Sequence, residues 1–219
     1  QFVRENPPIL TFQRELLRKD RADKLIPIEY TSHLHEFGAQ TNDEFLKRPL
    51  EVSYYWGRSS EYRVVVQGEI FQLAAKMGFD VLTQFNFVEP AIRDNQSSKK
   101  WLAVFAPHYA RLDVNEVQPI IRKSKVTIVM PGCGIKTFRH GESCGDAIMA
   151  TPYNNLAWSY PWISGENCLD LSDLQELHAS LRDAVKLCNI YRSAMENARN
   201  YRIDTYLRRW VVGNILQHV

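Results

Sequence analysis

From position 50 onward the apolar residues of this chain alternate between two patterns. Short runs rich in β-branched and aromatic residues, at 50–56 (LEVSYYW), 79–83, 101–105 and 126–130, read as strands. Between the first two lies 62–77, where Val65, Ile70, Leu73, Ala74 and Met77 follow helical spacing and Gly78 supplies a C-cap. Asp113 with Glu116 three residues on has the form of a capping box for a helix through Ile121, and Pro119 argues against it. A helix is expected over 141–150, followed by a short strand at 152–156. From Leu171 the pattern is helical, with Ser172 as the cap of 174–187 and an Arg- and aromatic-rich continuation over 191–217. Strands alternating with helices predict an α/β fold: a Rossmann-like parallel sheet with flanking helices and C-terminal helices.

Before position 50 the pattern is irregular. It holds Pro7-Pro8, a basic helical patch over 14–24, the strand candidate LIPIEY at 25–30, and a polar connector over 42–49 closed by Pro49. Three parts are therefore expected. They are an interdomain or connector segment over 1–49, a Rossmann-like nucleotide-sugar-binding domain over 50–187, and a helical extension over 188–219.

Composition narrows the class. With 219 residues, 45% hydrophobic and 24% charged, the chain can bury a core and is not of the disordered type. A formal charge of +2 without a basic block gives no nucleic-acid footprint, and no run of about 18 apolar residues suggests a membrane span. Cys133, Cys144, Cys168 and Cys188 form no C-x-x-C pair, which favours reduced thiols and a cytoplasmic site, or one peripheral to a membrane. The opening Gln1 in place of Met fits a piece of a longer polypeptide, and in that case a Golgi-lumen location stays open.

The chemistry gathers in 125–151, KVTIVMPGCGIKTFRHGESCGDAIMAT, a strand followed by a Gly-rich turn and a helix start. In parallel sheets, ligands collect beyond the carboxyl ends of strands. Two turns qualify: Gly57-Arg58-Ser59-Ser60 and Gly132-Cys133-Gly134-Ile135-Lys136-Thr137. Glycines let backbone approach a diphosphate, and Arg offers a planar fork to phosphate oxygens. Arg58, Lys136 and Arg139 together suit a nucleoside diphosphate, and Glu142 suits the two hydroxyls of a ribose. The plainer alternative is an ordinary turn, a solvated Arg, and a Glu favoured by the helix dipole. No Walker A sequence occurs, and Thr137 stands where a G-x-G-x-x-G fingerprint needs its third glycine.

The segment KVTIVMPGCGIKTFRHGESCGDAIMATPYNN resembles the C-terminal, donor-binding core of GT-B glycosyltransferases, in the style of exostosin-like and group 1 enzymes. The matching pieces are Gly132, Gly134, the R-x-x-E of Arg139 and Glu142, and Thr151-Pro152. Upstream, LEVSYYWGRSSEYR resembles the first strand and Gly/Arg turn of that domain, and FQRELLRKDRADKLIPIEY the interdomain stretch before it. The resemblance covers about 10–190, through short motifs. It implies that Gly57, Arg58, Gly134, Lys136 and Arg139 face the donor diphosphate and that Glu142 holds the ribose.

The resemblance further implies a nucleoside-diphosphate sugar as substrate, a glycan or other hydroxyl acceptor, and a place in glycan biosynthesis. Without a D-x-D motif it implies a metal-independent site and no cofactor, the nucleotide sugar being a substrate. It assigns no catalytic residue within this chain, because acceptor and base belong to an N-terminal domain that 1–50 is too short to form. Ala150-Thr151 replaces the usual small residue and Gly before Pro152, and 153–162 is unusually aromatic.

Other residues carry weaker signals. His33 and His35 have the spacing of two metal ligands without a third, and a polar loop suits them better. His108 and His140 are acid/base candidates, with His140 expected in solvent. Cys133 and Cys144 flank the turn without a recognisable base. Trp158, Tyr160 and Trp162 suit ring stacking, a lid or a buried edge equally well. Arg192, Arg199, Arg202, Arg208 and Arg209 read as a solvated face. Two alternatives to a transferase remain: a non-catalytic Rossmann-like assembly or regulatory module, and another phosphate-ligand enzyme.

Overall fold

The computed structural model describes residues 11–13, 25–27, 40–58, 61–78, 81–88, 114–130, 138–152 and 158–216. Its centre is a parallel sheet whose first strand, β3 (Leu50–Arg58), lies between two neighbours. On one side is β4 (Val81–Val88); on the other are β5 (Ser124–Ile128), β6 (Ile148–Thr151) and the two-residue β7 (Leu169–Asp170), giving the order β4-β3-β5-β6-β7. Every pairing is parallel, with Val52 opposite both Val81 and Val126, and Val126 opposite Ile148. A separate parallel pair joins β1 (Thr11–Gln13) to β2 (Leu25–Pro27), the latter within the expected LIPIEY strand. The parallel α/β expectation therefore holds.

The helix after β3, α2 (Glu61–Met77), lies against β3 and β4. It ends at Gly78, whose φ of +67° is the left-handed C-cap conformation that glycine adopts without steric cost. Its buried stripe runs Arg63, Val66, Gln67, Ile70, Leu73, Ala74, so both polar members lie in the first two turns of the inner face and the rest is apolar. The Tyr54 hydroxyl donates to the Arg63 carbonyl at 2.7 Å, pinning the start of α2 to the middle of β3. The helix α3 (Val114–Arg122) accommodates Pro119 on its exposed side and leads directly into β5.

Several local expectations are corrected. Within 42–49, expected as an irregular polar stretch, α1 (Asn42–Leu46) forms, with a reciprocal capping box in which Glu44 N–H donates to Thr41 Oγ1 and Thr41 N–H to Glu44 Oε2. The helix expected over 141–150 is a short one, α4 (Phe138–Ser143), and 148–151 is strand β6. All four β6 residues are buried, so the run has no alternation by which a sheet strand differs from a buried helix turn. Strand β6 ends at Thr151, and the strand expected at 152–156 lies, beyond Pro152, outside the described residues. The expected strand at 101–105 also lies outside them.

The C-terminal helix is broken where one span over 174–187 was expected. Asp173, not Ser172, caps α5 (Leu174–Arg182), accepting from the N–H groups of Gln175 and Glu176. Asp183 then ends α5 and caps α6 (Ala184–Asn200) by accepting from Lys186 N–H at 2.9 Å. Beyond Tyr201 come α7 (Ile203–Trp210) and a π-helical turn, Val211–Ile215. The main core unites residues from Phe45 to Tyr206, and Phe45 stacks on Tyr191 with ring centroids 3.9 Å apart.

Candidate functional site

The direction in which the chain winds across the sheet differs on the two sides of the β3–β5 pair. The chain leaving β3 crosses to β4 on one side, and the chain leaving β5 crosses to β6 on the other. That is a topological switch point, where diverging connections leave a crevice beyond the carboxyl edge of a parallel sheet. Gly57 and Arg58 occupy the β3 side of it. They are the last two residues of the strand, not part of a turn as expected, and Arg58 pairs with Val88 of β4. Trp56 pairs with Phe85 and Arg58 with Val88, so one residue of β3 faces two of β4 and the register shift puts the extra residue on β4, across from Gly57. The 17-residue α2 begins three positions after Arg58, with the positive end of its dipole at this same edge.

The β5 side continues past the strand. Val129 N–H donates to the Ala150 carbonyl at 2.8 Å, and Val129 and Met130 are buried. Gly134 and Lys136 lie outside the described residues. Arg139 and Glu142 are the second and fifth residues of α4, a spacing of three that puts two positions on one helix face. Of the six expected site residues, then, Gly57, Arg58, Arg139 and Glu142 sit on backbone at the ends of elements leaving β3 and β5.

No protein-family model matches the sequence, and no curated protein matches it by sequence. Solved structures do match. The C-terminal domain of a group 1 family glycosyl transferase (LpcC) from Francisella tularensis aligns over 80% of this chain and 99% of its own, with a TM-score of 0.52 and 12% identity. The fold is that of a GT-B C-terminal domain. A UDP-forming α,α-trehalose-phosphate synthase from Burkholderia vietnamiensis aligns over 86% of this chain and 50% of its own, with a TM-score of 0.52 and 12% identity. TarM aligns over 94% of this chain and 43% of its own, at 0.56 and 10%. The chain thus spans the whole of an isolated domain and about half the length of these two larger proteins.

Around the candidate site the structure adds residues that the sequence reading passed over. Arg63 and Gln67 are buried on the inner face of α2. Their 63, 67, 70, 74 spacing puts them on one helix face with Ile70 and Ala74. His140, expected in solvent, is only 5% exposed and lies beside Trp158, with ring centroids 5.2 Å apart. Trp158 and Trp162 are buried and Tyr160 half-buried, packed around Tyr201, which resolves the aromatic stretch as a buried edge.

Cys144 is fully buried and burial pushes its thiol far above the ordinary range, with nearby Asp146 adding to the effect, so it is no nucleophile at neutral pH. Cys133, His33, His35 and His108 lie outside the described residues, among which no group of three or more His, Cys, Asp or Glu could hold a metal ion. Arg192, Arg199, Arg208 and Arg209 are exposed, as a solvated face requires, while Arg202 is half-exposed and ion-paired with Asp204 at 3.4 Å. Among the described residues no helix is long and apolar enough to cross a membrane.

Proposed function

We propose that this chain is the donor-binding half of a metal-independent GT-B glycosyltransferase, which moves a sugar from a nucleoside diphosphate to a glycan or other hydroxyl acceptor. One observation supports this reading above the rest. Gly57-Arg58 and the Arg139–Glu142 pair leave adjacent strands at a single switch point, in a chain with the GT-B C-terminal fold. In this reading Arg58, Lys136 and Arg139 stabilise the departing diphosphate, Gly57 and Gly134 admit its close approach, and Glu142 accepts from the ribose hydroxyls.

In the transfer step the bond from the sugar's anomeric carbon to the β-phosphate oxygen breaks, and its electron pair leaves with the nucleotide. The acceptor oxygen bonds to that carbon and its proton passes to a base. Cationic side chains supply the charge stabilisation that a divalent ion gives elsewhere. Acceptor and base come from a partner domain, the role an N-terminal acceptor domain would fill.

Thermal stability measured with UDP, GDP or CMP tests the reading. A nucleoside diphosphate at about a hundred times its Kd should add about 2.7 kcal/mol, or roughly 5–10 °C for a chain of this size. Arg139→Ala should weaken binding about tenfold or more while leaving the unliganded melt unchanged. No stabilisation by any nucleotide at millimolar concentration would overturn the proposal, and stabilisation by a phosphorylated metabolite alone would favour the other phosphate-ligand enzyme.

A further inference from the structure

The short helix that carries Arg139 and Glu142 cannot hold itself in place. Six residues form too few hydrogen bonds to repay helix nucleation, so the position of α4 is set by what it packs against. Contacts at His140 and Cys144 tie it to the rest of the molecule. His140, the residue after Arg139, is buried against the Trp158 ring. Just past the end of the helix, the buried Cys144 Sγ lies 4.0 Å from the Ala198 carbonyl of α6. Trp158 is itself 3% exposed and meets the Tyr201 ring edge-on, centroids 6.5 Å apart.

Tyr201 is the hub of this cluster. It caps the end of α6, and its ring stacks on Trp162 at 5.6 Å and on Tyr206 of α7 at 6.1 Å. Its hydroxyl donates to the Tyr160 carbonyl at 2.5 Å and accepts from the Tyr160 N–H at 3.1 Å. One buried phenol thus satisfies both backbone groups of a residue in an irregular segment, which fixes that segment without regular structure. Asn197 and Asn167 add donors to the Pro161 carbonyl beside it. The packing runs without a gap from the α6–α7 corner through Tyr201 and Trp158 to His140.

We propose that Trp158 and Tyr201 are positioning residues for the donor site, holding α4 so that Arg139 and Glu142 meet the nucleotide together. They touch no ligand themselves, and the inference rests on the donor-site reading given above. Its physical content is that paired phosphate and ribose contacts tolerate little displacement, so a loosened α4 costs affinity that a comparable loss of stability elsewhere does not.

The test compares nucleotide affinity, measured by calorimetry well below the lowest melting temperature, in three variants. Trp158→Leu removes both ring contacts and should weaken binding about tenfold. Trp158→Phe keeps an aromatic face for His140 and should restore affinity to within about twofold of wild type. Phe45→Leu, in α1 at the amino edge of the sheet, lowers stability away from the site and should leave affinity unchanged. Equal weakening by Phe45→Leu, or wild-type affinity in Trp158→Leu, overturns the inference while the donor reading stands.

If Trp158→Leu does not fold, Tyr201→Phe decides the matter. It keeps the stack, frees the Tyr160 backbone, and should weaken binding about threefold; unchanged affinity overturns the proposal. Absence of nucleotide binding by the wild-type chain overturns the donor reading, and this inference with it.

Discussion

Arg48→Met should be among the most damaging single changes in this chain, although Arg48 lies at the edge of the sheet opposite the candidate site. The residue is 8% exposed, and its guanidinium is fully engaged. Nη1 donates to the Ser124 and Asp146 carbonyls, each at 2.6 Å, Nη2 to the Tyr191 hydroxyl at 3.1 Å, and Nε to Gln40 Oε1 at 2.9 Å. The cation also lies 5.1 Å from both the Phe45 and the Tyr191 ring centroids. Burial lowers its pKa, opposed in part by Tyr191 and Asp146. Each bond from a charged donor is worth about 1.5–3 kcal/mol, and releasing the cation from burial returns several kcal/mol of desolvation. The carbonyls that begin β5 and precede β6 would then be orphaned, and the net loss should be about 3 kcal/mol. For a chain of this length that is roughly 6–12 °C in Tm. Urea unfolding gives the cleaner number, provided the m-value is unchanged. Arg48→Lys should fall between the two, because an ammonium lacks the planar fork that reaches both carbonyls. A loss below about 1 kcal/mol for Arg48→Met would refute the reasoning.

Asp146 offers a test in pH. Burial raises its pKa above the ordinary carboxylate value, only partly offset by Arg122 at 3.1 Å and by Arg48. Between the unfolded and the raised folded pKa the native state binds more protons, so acidification through that window favours folding. The melting temperature of wild type minus that of Asp146→Asn should therefore rise as pH falls through the window, and a falling difference would sink the assignment. Gln67→Leu should stabilise the unliganded protein by about 1 kcal/mol, because Gln67 is fully buried and neither amide atom has a hydrogen-bond partner among the described residues. A lower Tm for this variant, read by differential scanning fluorimetry, would show that the amide has work to do in the folded state.

The parallel α/β architecture was legible because 50–56, 62–77 and 126–130 each carry a clear signal: a run of β-formers, helical spacing and a β-branched apolar block. Where expectation failed, a local rule competed with a tertiary one. At β6 burial on both faces erased the alternation that marks a strand. At 172–173 two good cap residues stood side by side, and Asp173 prevailed while Ser172 bonded instead to Asp170 Oδ1 at 2.8 and 2.6 Å through its N–H and hydroxyl. At 42–49 the capping box was in the sequence as Thr41-x-x-Glu44, but the polar composition and Pro49 drew attention away from it. Of the candidate site, glycine, cation and R-x-x-E patterns single out the residues proposed for it, whereas the packing of His140 with Trp158 and Tyr201 joins positions up to 61 residues apart and leaves no local pattern.

The two edges of the sheet are built on different principles. At the amino edge a single guanidinium satisfies carbonyls next to β5 and β6 and joins them to α6 through Tyr191, so stability is concentrated in one residue. At the carboxyl edge β3 ends in a register shift at Gly57, and α4 has six residues, so neither is rigid by its own hydrogen bonding. Segments of low local stability are where ligand contacts form, because they adjust at little cost. Yet α6 serves both edges, meeting Arg48 through Tyr191 and α4 through Ala198. Two places along that helix have their own packing, Phe45 and Arg48 on Tyr191 near its middle and the Tyr201 cluster at its end. It follows that Arg48→Met, where it still folds, should leave nucleotide affinity intact. A loss of affinity like that of Trp158→Leu, read in the same calorimetric titration, would refute this separation of the two edges.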